Sequence, residues 1–159
     1  MSSASSLPTS ISIRLIRRED YEQWIPLWEG YNAFYGRSGD TALDPEITAV
    51  TWWRFFNPIE PVFAVVAETE EVVVGFAHFL FHRSTTRLEP VCYLNDIFTL
   101  SAFRGRGIGK SLIHGVYEYA RNAGARRVYW QTQAANEAGR ALYDKVAMNS
   151  GFIVYSHQC

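Results

Sequence analysis

Phe103-Arg104-Gly105-Arg106-Gly107-Ile108-Gly109-Lys110 is the stretch on which the reading of this chain turns. An apolar, strand-like run precedes it, Cys92-Tyr93-Leu94-Asn95-Asp96-Ile97-Phe98-Thr99-Leu100. After it, Ile108, Leu112, Ile113, Val116 and Ala120 recur at the spacing of one helix face. A glycine-rich turn from a strand into a helix N-terminus suits a phosphate. The backbone can approach the ligand closely, the first N–H groups of the helix have no internal partner, and the helix dipole favours negative charge.

Two familiar phosphate motifs fail on this stretch. A Walker loop ending in Gly109-Lys110-Ser111 needs glycine where Arg104 stands. A dinucleotide fingerprint begun at Gly105 needs glycine at Lys110, and one begun at Gly107 needs it at Leu112. What the residues present is Arg104-x-x-Gly107-x-Gly109, in a strand–turn–helix context.

A second segment bears on the choice. Asn136-Glu137-Ala138-Gly139-Arg140-Ala141-Leu142-Tyr143 follows the strand-like Arg127-Val128-Tyr129-Trp130-Gln131-Thr132. Together the loop, the Asn136…Tyr143 spacing and the strand Tyr93–Phe98 resemble the cofactor-binding motifs of the GNAT (Gcn5-related N-acetyltransferase) superfamily. Its pyrophosphate loop has the pattern Gln/Arg-x-x-Gly-x-Gly/Ala. The resemblance is close from about Cys92 to Phe152, looser upstream, and nearest the Hpa2-like and polyamine/diamine acetyltransferases. It implies an α/β fold with a mixed, mostly antiparallel central sheet and helices on both faces.

The rest of the chain is consistent with that order. Ile11 to Ile16 alternates as a half-buried strand. Tyr21, Trp24, Trp28, Tyr31 and Tyr35 recur at helical spacing around Pro26, where a kink or helix restart is expected. Asp44-Pro45-Glu46 has the N-cap, first-turn proline and early acid of a helix start. Val62–Glu68 and Val72–His82 read as strands joined at Thr69-Glu70-Glu71. The helix from Ile108 runs to about Ala123, with Gly124 ending it. Val128–Gln133 reads as a strand, Asn136 to about Asn149 as a helix, and Gly151–Ser156 as a last strand. The predicted order is β-α-α-β-β-β-α-β-α-β, in one domain over residues 11–159 after a disordered tail over residues 1–10.

Composition sets outer limits. The chain has 159 residues, enough for one sizeable core. A net charge of −1 offers no global attraction for nucleic acid. No apolar run reaches membrane-spanning length and the Ser-rich start has no signal-peptide pattern, so the expected setting is cytoplasmic, without a membrane. Two cysteines, Cys92 and Cys159, make no disulfide framework. His78 and His82 form H-x-x-x-H in a predicted strand, about 13 Å apart. They lack the glutamate of a zinc-protease helix, and no metal is expected. Aromatics at 15% suggest a large core, with a few rings left for a cleft or a subunit interface.

The resemblance also implies roles. Amides of Gly105, Arg106, Gly107, Ile108, Gly109 and Lys110 would hold the pyrophosphate of acetyl-CoA, with charge from Arg104, Arg106 and Lys110. The pantetheine arm would pair along Ile97, Phe98 and Thr99 like an added strand, where a free N–H would polarise the thioester carbonyl. Tyr143, protonated at neutral pH, would hand a proton to the leaving thiolate. Asn136 would cap its helix, touch the cofactor, or both. The base stays open among Asp96, Glu29 and a bound water. Asn95 stands where the polyamine branch often has an acid. Trp28, Glu29, Tyr31, Phe34 and Tyr35, with Asn95 and Asp96 opposite, would form an acceptor site for a primary amine. A homodimer is expected, with the last strand and the helix before it contributing. A non-catalytic acyl-CoA-binding module, an interaction surface, and an enzyme acting on protein lysines or N-termini are the alternatives.

Overall fold

Strands β2 (Val62–Thr69) and β3 (Val72–His82) are apolar on both faces because both faces are covered. In the computed structural model, which describes residues 10–159, Val65, Ala67, Val74, Ala77 and Phe79 pack against helix α3 (Ile108–Asn122). Ala64, Val66, Val73 and Phe76 pack against Trp24, Leu27, Trp28 and Tyr31 of helix α1 (Tyr21–Phe34). One extra residue, Val74, sits in β3 opposite the Ala67–Glu68 step and changes which side chains face which layer.

The sheet runs in the order β1-β2-β3-β4-β5, with β1 at Ser12–Leu15, β4 at Val91–Thr99 and β5 at Val128–Tyr129. The pairs from β1 to β4 are antiparallel, and β4–β5 is parallel. Helix α2 (Pro45–Arg54) starts as its sequence predicts: the Asp44 side chain accepts from the Glu46 N–H at 2.9 Å, and Pro45 takes the first turn. Helix α4 (Glu137–Val146) closes the order. Arg14 of β1 holds the start of α1 through a two-pronged pair with Asp20, 2.7 and 2.8 Å, and reaches Glu68 of β2 at 2.7 Å. The Arg14 guanidinium holds the Asp20 carboxyl below its ordinary value.

Three expectations need correction. Gly151–Ser156 forms no strand; the segment has no regular structure and is exposed. Its β-branched and aromatic residues supply strand propensity, but β5 is too short to offer it an edge, and propensity without a partner forms no ladder. The strand expected over Val128–Gln133 stops at Tyr129, because the chain turns away from β4 there. The helix expected to about Asn149 ends at Val146. Helix α1 runs through Pro26 without a restart. Pro26 and Glu22 are both exposed, so the N–H that proline lacks is missing on the solvent side of the helix, where an unpaired carbonyl costs least. The tail expected over residues 1–10 lies outside the described residues except for Ser10. Among the described residues no helix is long and apolar enough to cross a membrane.

The β2–β3 hairpin turns on Glu70 and Glu71, both left-handed at φ 49° and 64°. Two-residue hairpin loops of this geometry favour Asn-Gly, since a side chain costs energy at positive φ. Replacing the pair by Glu70→Asn with Glu71→Gly should raise stability by about 1 kcal/mol in urea unfolding.

Candidate active site

The site begins where β4 loses its neighbour. Cys92 and Tyr93 pair with Val128 and Tyr129, and β5 then ends while β4 continues to Thr99. Beyond Tyr93 the β5-side edge of β4 carries no strand among the described residues. A cleft opens there, lined by Tyr31, Tyr35, Asn95, Asp96, Ile97 and Tyr143, with Leu94, Trp130 and Gln131. Tyr143 comes from α4 and meets Trp130 edge-on at 5.4 Å between ring centres. Burial, and then nearby Tyr35, raise the Tyr143 hydroxyl above the ordinary tyrosine value, so it is protonated across the physiological range.

The glycine-rich loop lies at the far end of the same strand. Leu100 donates to the Val74 carbonyl, a short helical turn covers Ser101–Phe103, and α3 starts at Ile108. Gly107 is its N-cap at φ 79°, a conformation that β-carbon-bearing residues resist. The first bond into the helix is from Ser111 N–H to the Gly107 carbonyl, 3.0 Å, which leaves the preceding amides pointing outward. No acid stands in the first turn of α3. Arg104 is steered by its Nε–H to the Thr99 carbonyl, 3.2 Å, and lies over the Phe98 ring at 5.6 Å. Gly109 brings the loop to α4: a Cβ there would lie 3.0 Å from Cδ2 of Leu142, the residue before Tyr143. The cradle therefore fits a pyrophosphate in backbone shape and in charge.

The other wall is built on a bulge. His78 of β3 opposes Asp96 of β4 and Phe79 opposes Leu94, so Asn95 is an extra residue. The Asp96 carboxylate turns into the structure. It accepts from the Tyr31 hydroxyl at 2.6 Å, His78 Nδ1 at 2.9 Å and Asn95 Nδ2 at 2.9 Å. His78 Nε2 faces the Trp24 indole N–H at 3.1 Å. An indole only donates, so Nε2 carries the lone pair and Nδ1 the proton. Burial pushes the Asp96 carboxyl up, but His78, Tyr31 and Asn95 outweigh it, and the net shift is downward. Burial, with the charge and hydrogen bond of Asp96, raises the Tyr31 hydroxyl.

Behind this wall lies a cavity of about 410 Å³ between α1, α2 and the β3–β4 bulge. Trp28, Tyr31, Asn95 and Asp96 line it, with Arg37, Arg54, Asn32 and His78. Tyr31, Asn95 and Asp96 also line the cleft of Tyr143, so the two spaces adjoin.

The expected residues thus divide. Trp28, Tyr31, Tyr35, Asn95, Asp96, Ile97 and Tyr143 come together around the two spaces. Glu29 and Phe34 are exposed on α1 and line neither. Asn136 caps α4: its Oδ1 accepts from Gly139 N–H at 3.2 Å and its Nδ2 donates to Thr132 at 3.0 Å. Cys92 is buried, which pushes its thiol up to about 12 and leaves it a packing residue. Sequence reasoning did not select Arg37, Trp130 or Gln131, and weighed His78 only as a metal ligand. The period-2 spacing of His78 with buried Phe76 was the one signal that it faces inward.

A sheet that parts beside its central strand, with a glycine-rich cradle at one end of the gap and a half-buried phenol across it, is the architecture of an acyl-transferring enzyme. The model of the acetyltransferase (GNAT) family matches residues 21–148, and the chain belongs to that family. It is 33% identical over 147 residues to the D-amino-acid N-acetyltransferase HPA3 of Saccharomyces cerevisiae, covering 91% of this chain and 89% of that one. Among solved structures, the aminoglycoside acetyltransferase AAC(6')-Iy in complex with a CoA-linked bisubstrate analogue superposes with a TM-score of 0.78 at 20% identity, over 95% of this chain and 99% of that one. A ribosomal-protein-alanine N-acetyltransferase from Brucella melitensis gives 0.76 at 19% identity, over 94% and 99%. The chain is an N-acetyltransferase.

Asp96→Ala would leave the Tyr31 hydroxyl and the His78 N–H without their acceptor, at a cost of about 3 kcal/mol in urea unfolding. Because the folded carboxyl sits below its unfolded value of about 3.9, its contribution is complete above that pH and is lost as pH falls through the folded value. The variant should therefore lose less stability than wild type on acidification below about pH 4.

Proposed function

We propose that the chain transfers acetyl from acetyl-CoA to the primary amine of a small molecule, by direct attack. The observation that carries this reading is the pair of adjoining spaces sharing Tyr31, Asn95 and Asp96, with Tyr143 on one side and a half-enclosed cavity on the other. Relatives that acetylate D-amino acids and aminoglycosides support it, since both are small amines.

In this reading the outward amides of Gly105 through Lys110 hold the pyrophosphate, and Arg104, Arg106 and Lys110 add charge. The pantetheine arm lies along Ile97, Phe98 and Thr99, on the edge of β4 that β5 leaves vacant among the described residues. Asp96, ionised at neutral pH, draws the acceptor ammonium toward the shared wall. A carboxylate held below its ordinary value takes protons weakly, so the ammonium proton leaves to water. The amine lone pair then forms the C–N bond as the C–S bond breaks, the sulfur takes the Tyr143 proton, and the proton shed by the new amide nitrogen returns through water to the Tyr143 phenolate. An acceptor recruited into a pocket walled by Trp28 and Tyr31 is a small molecule rather than a protein tail.

Tyr143→Phe keeps the ring and removes the proton. The expected outcome is a fall in kcat of about 10²- to 10⁴-fold. Acetyl-CoA affinity by calorimetry should stay unchanged. Turnover at the wild-type rate would assign Tyr143 to packing.

We infer further that residues 11–159 form one domain and that the working unit is a homodimer. The support is the C-terminal segment, where Phe152 and Tyr155 are 86% and 88% exposed beside Ile153 and Val154. Four consecutive apolar residues left in water call for a cover. Light scattering at micromolar concentration should give the mass of a dimer, and a chain ending at Asn149 should be monomeric.

A further inference from the structure

Arg37 sits at the end of α1, in a position that its backbone leaves little freedom to change. The helix closes with Gly36 at φ 77°. The Gly36 N–H reaches the Ala33 carbonyl at 3.0 Å and the Arg37 N–H the Asn32 carbonyl at 2.9 Å. This double closure turns the chain back over its own last turn. The Arg37 side chain follows: its Nε–H donates to Asn32 Oδ1 at 2.7 Å, and buried Asn32 is itself fixed by its Nδ2 bond to the Trp28 carbonyl at 2.8 Å. The guanidinium carbon lies 5.8 Å from the Tyr31 ring centre and 5.4 Å from that of Tyr35.

Such an arrangement uses one of the five guanidinium donors and leaves the two terminal nitrogens. Among the described residues neither has a hydrogen-bond acceptor or a carboxylate within ion-pair distance. This half-buried cation lines the acceptor cavity. The other cation lining it, Arg54, lies 3.8 Å from Glu60. Among the described residues the only acid lining it is Asp96, whose oxygens are engaged by Tyr31, His78 and Asn95. Tyr31 stands between the two charges: its hydroxyl is on Asp96 and its ring is beside the guanidinium. One wall of the cavity thus holds a pre-set fork for an anion, and its neighbour holds a fixed negative charge. A planar fork with both terminal nitrogens available matches a carboxylate.

We propose that Arg37 is the carboxylate anchor of the acceptor site, and that the acceptors are amines bearing a carboxylate, of the amino-acid type. The inference rests on the reading that this cavity holds the acceptor. The acid's two oxygens meet the terminal nitrogens of Arg37, while its amine faces Asp96 and the cleft of Tyr143. Arg37 acts on selectivity and takes no part in bond making.

The test compares free amino acids of both hands with their amides, in steady-state thiol release. Wild type should favour acid over amide in kcat/KM by at least about tenfold. In Arg37→Gln that ratio should collapse toward one, through KM of the acid. Arg37→Lys, which keeps the charge without the fork, should fall between. Because the readout is a ratio within one protein, partial loss of active material cannot mimic it. A wild type that accepts amides as well as acids, or an Arg37→Gln that keeps the preference, overturns the proposal. Thr51→Trp, which fills the cavity from α2, separates this from the reading beneath it. If Thr51→Trp abolishes turnover of every amine while acetyl-CoA binding persists, the cavity is the acceptor site whatever Arg37 does. If turnover survives it, the cavity assignment and the anchor fail together.

Discussion

The carboxylate of Asp96 is the point on which both halves of the site hang. It is taken nearly out of water and held there by three donors from three places: Tyr31 on α1, His78 on β3 and Asn95 beside it on β4. A buried negative charge with fewer partners would take up a proton or draw in water. With these it stays ionised, and it ties the aromatic helix to the sheet at the place where the two open spaces meet. The bulge at Asn95 makes this possible. Without the extra residue, the pleat would send the following side chains of β4 to the opposite faces.

The same strand is responsible for the cleft. Antiparallel pairing with β3 continues to the end of β4, whereas parallel pairing with β5 is given up after two residues. Backbone groups of Leu94 to Thr99 are thereby freed on one side without loosening the strand, since β3 still holds the other. A rigid strand with a vacant edge is a template for another extended chain, and the pantetheine arm of a thioester has that shape. The shortness of β5 has a second effect. It leaves the C-terminal segment no edge to join, so apolar side chains that would have ended the sheet stand in solvent.

Opposite the strand, α1 works as a wall rather than as a lid. Trp24 stacks on Trp28 at 5.7 Å with 11° between planes, and Trp28 on Tyr31 at 5.5 Å with 10°. Each ring also spends its polar atom on a fixed partner: Trp24 on His78, Trp28 on Thr48, Tyr31 on Asp96. Large side chains with so few free torsions lose little further entropy when a ligand arrives. Trp28 and Tyr31 are core and cleft at once, packed against the sheet on one side and lining the cavity on the other.

Much of this was legible in the residue order, because the features concerned are local. The Arg104-x-x-Gly107-x-Gly109 turn, the Asp44-Pro45 helix start, Gly124 after α3 and the 3.6-residue spacing from Ile108 to Ala120 each depend on neighbours a few positions away. Together with the Asn136…Tyr143 spacing, they settled the fold and the family. What depends on distant partners was hidden. The end of β5 at Tyr129 is decided by the divergence from β4, the fate of Gly151–Ser156 by the lack of an edge, and the exposure of Glu29 by how α1 is rotated on the sheet. Likewise, His78 became a hydrogen-bonded support for Asp96, and Arg37 a wall of the cavity, only when residues 18 to 59 positions away along the chain were brought beside them. The sequence by itself determined the helices, the long strands and the glycine-rich turn that opens α3, since backbone conformation there answers to nearby residues. The tertiary structure alone decided which side chains share the cavity beside Asp96, since charge, burial and hydrogen-bond partners are set by contacts that chain order does not contain.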